Sequence, residues 1–212
     1  LNNNESYGVK LLKFDYLEFM MSDELLDYAE QMISENCKEM IFKLIEFNYK
    51  NKNYNKCVQL YENNKLLFDS EENSFPEKYE NIYLSYTKLN KKEMAEAFFN
   101  KNKRKHDEDL CVCYITNMIN TTIPQTTEQI INIDNVIDEC YEIHKHNKIL
   151  FLKVTLYQKT TNNDKLVENI KLCSLQGSSH AMQLYYKYYV FSAAILLNEV
   201  IKQEFDNILK IG

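Results

Sequence analysis

Glycine and proline are scarce in this chain, 3 and 2 among 212 residues. A β-sandwich or barrel needs a turn residue roughly every ten positions, and that chemistry is missing. No two glycines lie close enough to form a phosphate-cradling loop, which excludes the common nucleotide-binding α/β folds. Tryptophan is absent, and of the 25 Lys and Arg residues only Arg104 is an arginine. With a net charge of −6, the chain is poorly equipped to grip phosphate backbones by itself. The 6 cysteines, Cys37, Cys57, Cys111, Cys113, Cys140 and Cys173, contain no CxxC pair. No leader-like opening and no apolar run of membrane-spanning length occurs, so neither a leader nor a membrane partner is expected.

What is present points to an all-α protein. Hydrophobic residues make up 45% and charged residues 26%, ordinary for a chain that packs a core. Lysine and asparagine are abundant, as in Asn2, Asn3, Asn4 and Asn51, Asn53, Asn55. Both have A/T-rich codons, whereas arginine, proline, glycine and tryptophan do not. The composition therefore reads as that of an A+T-rich genome, bacterial, parasitic or viral, rather than as a functional signal. Most cysteines sit beside apolar residues at helical spacing, as reduced small core residues do. That suggests a cytoplasmic or nuclear compartment. The chain opens on Leu1 rather than Met, which leaves room for a segment ahead of it.

Apolar residues recur at helical spacing along the whole chain. A first helix is expected over residues 8–21, a second after the Ser22 cap, and a third, capped by Asn36, from Met40 to Phe47. Residues 51–53 break the pattern, and 54–67 form a fourth helix. An acidic loop covers 69–75, and Pro76 opens the helix of Tyr79, Ile82, Tyr83 and Tyr86. After Asn90 comes a helix from Met94 to Asn102, then one begun by Asp107. The segment 120–127 reads as a loop. Helices near 128–145, 148–160 and 164–175 follow, and a turn at 177–179. One long helix, or a bent pair, is expected from His180 to Leu209.

An internal repeat runs through this series. Tyr86, Asn90, Ala95 and Phe99 match Tyr49, Asn53, Cys57 and Tyr61, and again Tyr157, Asn162, Leu166 and Ile170. In each, a tyrosine ends one helix, an asparagine marks the break, and a small or apolar residue precedes a large one by four. The small residue lets the second helix approach the first, and the large one fills the groove between pairs. The pattern resembles a degenerate tetratricopeptide repeat, a helical hairpin of about 34 residues. It covers residues 36–175 most clearly. Cys57 and Ala95 lie 38 apart and Ala95 and Leu166 lie 71 apart, room for a divergent pair between the last two. The resemblance implies hairpins stacked as an α-solenoid, a single repeat domain over 1–212.

No catalytic, cofactor-binding or metal-binding residue is expected. Cys111 and Cys113, beside His106, are two apart and point to opposite sides of a helix. Cys140 and His144 share a face, but two ligands are too few, and the neighbouring Asp138, Glu139 and Glu142 would raise the thiol pKa. Lys101, Lys103, Arg104 and Lys105 form a possible basic contact patch for RNA or DNA. Asp107, Glu108 and Asp109 follow so closely that complementing two helix dipoles explains the cluster better. Tyr185, Tyr186, Tyr188, Tyr189 and Phe191 cannot all face one way. Residues 184, 185, 188, 191 and 195 make one docking stripe, which leaves Tyr186 and Tyr189 as a partner-binding surface.

These readings favour a protein or peptide-binding adaptor without cofactors. Two other expectations stand beside it. Peptide-pheromone receptors of A+T-rich Gram-positive bacteria are similar in carrying degenerate hairpins behind a DNA-binding module. Such a module would have to lie upstream of Leu1. A ribosome- or RNP-associated dormancy factor would instead show a continuous basic face.

Overall fold

Helix follows helix from Tyr7 to Leu175. The computed structural model describes residues 7–22, 24–34, 38–69, 79–104, 108–121, 126–179, 181–184, 187 and 199. Among them are eleven helices and no strand. They are α1 (Tyr7–Phe19), α2 (Leu25–Ser34), α3 (Lys38–Lys50), α4 (Tyr54–Asn63), α5 (Lys65–Asp69), α6 (Glu80–Lys88), α7 (Lys92–Asn102), α8 (Glu108–Thr121), α9 (Thr127–His144), α10 (Asn147–Lys159) and α11 (Asn163–Leu175). None of the described helices is long and apolar enough to cross a membrane.

Local chemistry sets the helix ends. Thr126 and Gln129 form a reciprocal capping box at the start of α9, the Thr126 hydroxyl accepting from the Gln129 N–H at 3.2 Å. Asn162 caps α11 by accepting from the Lys165 N–H at 3.2 Å. The helix expected over 54–67 is instead split at Asn64. The Asn64 amide donates to the Leu60 carbonyl at 2.8 Å, a side-chain bond that competes with the continuing backbone ladder. The expected loop at 120–127 is shorter at both ends, because α8 runs to Thr121 and α9 starts at Thr127. The expected caps at Asn36 and Pro76, and all of the helix from His180 to Leu209 except 181–184, 187 and 199, lie outside the described residues.

One turn geometry recurs. Met21, Lys52, Asn90, Thr161 and Gly177 all have positive φ, between 49° and 85°. After each, the next N–H reaches back five residues to a carbonyl: Ser22 to Leu17, Asn53 to Asn48, Lys91 to Tyr86, Asn162 to Tyr157 and Ser178 to Cys173. This is the Schellman closure of a helix C-terminus. The residue whose carbonyl accepts is buried in all five.

The chain divides into two compact units, Leu1–Tyr114 and Ile115–Gly212. In the first, α1 packs on α2, α2 on α3, α3 on α4, α4 on α6 and α6 on α7, and α3 also touches α6. Phe14, Leu17, Leu25, Ala29, Met32, Met40 and Leu44 form one cluster. An aromatic core continues it. Phe68 meets Phe42 at 4.9 Å and Tyr61 at 5.1 Å, and Phe98 meets Tyr61 at 5.0 Å and Tyr86 at 5.9 Å between ring centres. In the second unit α10 packs on both α9 and α11, around Leu150, Val154, Ile170, Cys173 and Ala181.

Candidate functional site

The turn geometry fixes the register of the repeat. Cys57, Ala95 and Leu166 each stand five residues after a left-handed residue, Lys52, Asn90 and Thr161. Cys57 and Ala95 are buried and Leu166 half-buried. Tyr61, Phe99 and Ile170 stand four further on and are buried. The tyrosine match needs one correction. Counted from the turn, the counterpart of Tyr86 and Tyr157 is Asn48, not Tyr49. Asn48 is buried and spends its amide on the Leu44 carbonyl at 2.8 Å.

Tyr86 and Tyr157 are each a buried tyrosine in a polar network, one in each unit. The Tyr86 hydroxyl donates to Glu62 of α4, and the Lys65 ammonium pairs with the other oxygen of Glu62 at 2.6 Å. Burial and the Glu62 charge push the Tyr86 phenol far above its ordinary range. Burial raises the Glu62 carboxyl, but the bonds from Lys65 and Tyr86 outweigh it, and its pKa falls below the usual value. In the second unit the Tyr157 hydroxyl accepts from the Lys165 ammonium of α11 at 3.2 Å. Burial, then Asp134, raises its pKa. Lys153 of α10 ties the site together, 2.8 Å from Asp138 and 3.1 Å from Asp134. Its burial opposes the charge, yet the two aspartates raise its pKa. Tyr86 thus ties α6 to a carboxylate of α4, and Tyr157 ties α10 to a lysine of α11.

Beside the first network lies a hollow of about 220 Å³ between α4, α6 and α7. Buried Tyr61, Tyr86 and Phe98 form its floor, and exposed Met94 and Ala97 its side. Lys65 and Lys101 stand at its rim, with Glu62 already engaged. An apolar side chain flanked by an acid fits such a surface. A second hollow, lined by Lys52, Asn53, Tyr54, Asn55, Lys56, Gln59 and Leu89, is polar throughout but for Leu89 and the Tyr54 ring.

Of the basic patch, Lys101 and Arg104 are exposed, and Lys103 is half-buried with its ammonium 5.9 Å from the Phe99 ring centre. Lys101 closes α7, and Glu108 and Asp109 open α8, as dipole complementarity requires. Lys105, His106 and Asp107, and both Tyr186 and Tyr189, lie outside the described residues. Cys57, Cys111, Cys140 and Cys173 are buried free thiols and Cys113 is half-buried. Burial lifts the Cys173 thiol to about 11, which keeps it protonated near neutrality. Cys140 is fully buried and His144 half-buried. Among the described residues no group of three or more His, Cys, Asp or Glu is placed to hold a metal ion. No protein-family model, curated protein or solved structure matches this chain.

Proposed function

We propose that this chain is a non-catalytic helical-repeat adaptor, a degenerate tetratricopeptide-like stack of hairpins that holds a protein or peptide partner in a larger assembly. The observation that carries this reading is the recurrence of one hairpin at Lys52, Asn90 and Thr161. Each copy shows the same five-residue back-bond and the same spacing to an inward-facing and then a large buried residue. A hairpin that buries its face only against neighbours stacks into an extended surface, and such surfaces serve recognition. The contact of α3 with α6, the first helices of successive pairs, supports a solenoid arrangement in the first unit. The hollow over Tyr61, Tyr86, Phe98 and Met94 is the contact site we assign, for an apolar anchor next to an acidic residue that meets Lys65 or Lys101. Tyr186 and Tyr189 are proposed as a second contact.

Affinity capture from the native cell, read by mass spectrometry, tests this. The wild-type chain should retain a defined partner. Met94→Asp should lose that partner while its thermal melt stays within a degree or two of wild type. Retention of the same partner by Met94→Asp and by the Tyr186→Ser/Tyr189→Ser double variant would remove both sites from the proposal.

A further inference from the structure

Helix α1 has two apolar faces. One, carrying Phe14 and Leu17, is buried against α2 and α3. The other is bare. Val9, Leu12, Tyr16 and Phe19 are 47%, 68%, 61% and 82% exposed, and Met20 beside them is also exposed. Their spacing of three, four and three residues is that of the seam in a two-helix coiled coil. With Met21, these side chains offer on the order of 700 Å² of apolar surface, more than most monomers leave bare. A standard interface takes about 800 Å² from each side.

We propose that this face is a self-association surface, on which two copies of the chain pack α1 against α1 in antiparallel fashion about a twofold axis level with Phe14. The area is sufficient for a stable dimer, and the seam matches itself. Antiparallel packing sets Val9 against Phe19 of the second copy and Leu12 against Tyr16 of the second copy. Every layer then joins an aliphatic side chain to a ring, with no ring forced on its twin. The twofold also brings each flank of α1 onto the same flank of the other copy. On one flank Asp15 meets its own copy, each already paired with its own Lys43 at 2.6 Å. On the other flank Lys13 rests 4.5 Å from the Tyr28 ring centre, and it meets its own copy. Lys13 therefore faces Lys13 at the rim and two chains of net charge −6 approach each other, so added salt strengthens the dimer. A partner recognised through charge would be released by salt instead.

Sedimentation velocity of the full chain from low to high micromolar concentration tests this. The expected result is a monomer–dimer equilibrium that tightens between low and moderate salt. Leu12→Glu and, separately, Tyr16→Lys should each weaken it more than about tenfold with an unchanged far-UV CD melt, since both positions are bare in the fold. Mixed Val9→Cys and Phe19→Cys chains should give a disulfide-linked dimer under mild oxidation, and Phe19→Cys alone should not, because the twofold separates the two copies of that residue. A monomer at every concentration overturns the proposal. So does a dimer that salt dissociates, one that both substitutions leave intact, or a Phe19→Cys chain that cross-links to itself.

Discussion

At the scale of single residues, the buried polar groups decide more than the apolar ones. Asparagines at 48, 102 and 169 are buried, and each spends its amide on the carbonyl four residues back at 2.8 Å. A residue type that codon usage explains in bulk is thus accommodated inside a helix by a local bond. Lys153 is the most consequential charge. Its side chain is 11% exposed and is shared by Asp134 and by Asp138, the latter 55% exposed. Lys153→Ala should cost about 2 kcal/mol in a urea melt, less than the ~3–5 kcal/mol of a fully buried pair because water reaches Asp138. The Lys153 pKa is raised in the fold, so its contribution is complete below about 10.5 and is lost as pH climbs through the folded value. Glu62 behaves in the opposite sense. Its pKa is lowered, so its contribution is present above about 4.5 and is lost as pH falls. Glu62→Gln should therefore flatten the acid limb of a plot of stability against pH. An unchanged acid limb would show that Tyr86 and Lys65 do not stabilise the carboxylate. Ala95 is buried where α7 meets α6. Ala95→Leu overpacks that seam and should lower stability by roughly 1–3 kcal/mol in the same melt.

At the scale of helices and turns, the left-handed residue that follows α1, α3, α6, α10 and α11 is the recurring device. Only Gly177 among the five is a glycine, while Met21, Lys52, Asn90 and Thr161 hold φ values of 49°, 61°, 57° and 54°. A β-branched residue suffers most in that region. Thr161→Gly should raise stability by about 1 kcal/mol, and Gly177→Ala should lower it by a similar amount. Both are read by thermal melts of otherwise identical chains. If Thr161→Gly destabilises, the Thr161 hydroxyl, which donates to the Thr160 carbonyl at 2.8 Å, holds the turn more firmly than the backbone strain opposes it. The breaks at 51–53 and at 90 appear where the sequence pattern lapses, because asparagine and lysine tolerate the left-handed turn that the apolar periodicity cannot continue through.

At the scale of the whole molecule, each of the two units carries a polar network around a buried tyrosine, Tyr86 with Glu62 and Lys65 in one, Tyr157 with Lys165 beside the Lys153–Asp138 pair in the other. Both networks join polar side chains of neighbouring helices across buried aromatic rings. Two surfaces among the described residues are proposed to act on other molecules, the hollow beside Met94 and the outer face of α1. The two are separable. Met94→Asp should impair partner capture without changing self-association, and Leu12→Glu should do the reverse.

The sequence by itself determined the helical class, most of the helix ends among the described residues to within two positions, and the inward residues at 57, 61, 95 and 99. These follow from local rules of spacing, capping and the near absence of glycine and proline, which act within a turn or two of chain. The split at Asn64 was not legible, because a side-chain bond to Leu60 and an aromatic pocket for Phe68 must both form before the break is favourable. Nor was the bare stripe of α1. Val9, Leu12, Tyr16 and Phe19 recur at helical spacing as Phe14 and Leu17 do, and an apolar residue looks the same in sequence whether a neighbour covers it or not. Only the tertiary structure decided which face α2 and α3 would cover, because packing saturates at Phe14 and Leu17 and leaves the far side of the helix to water.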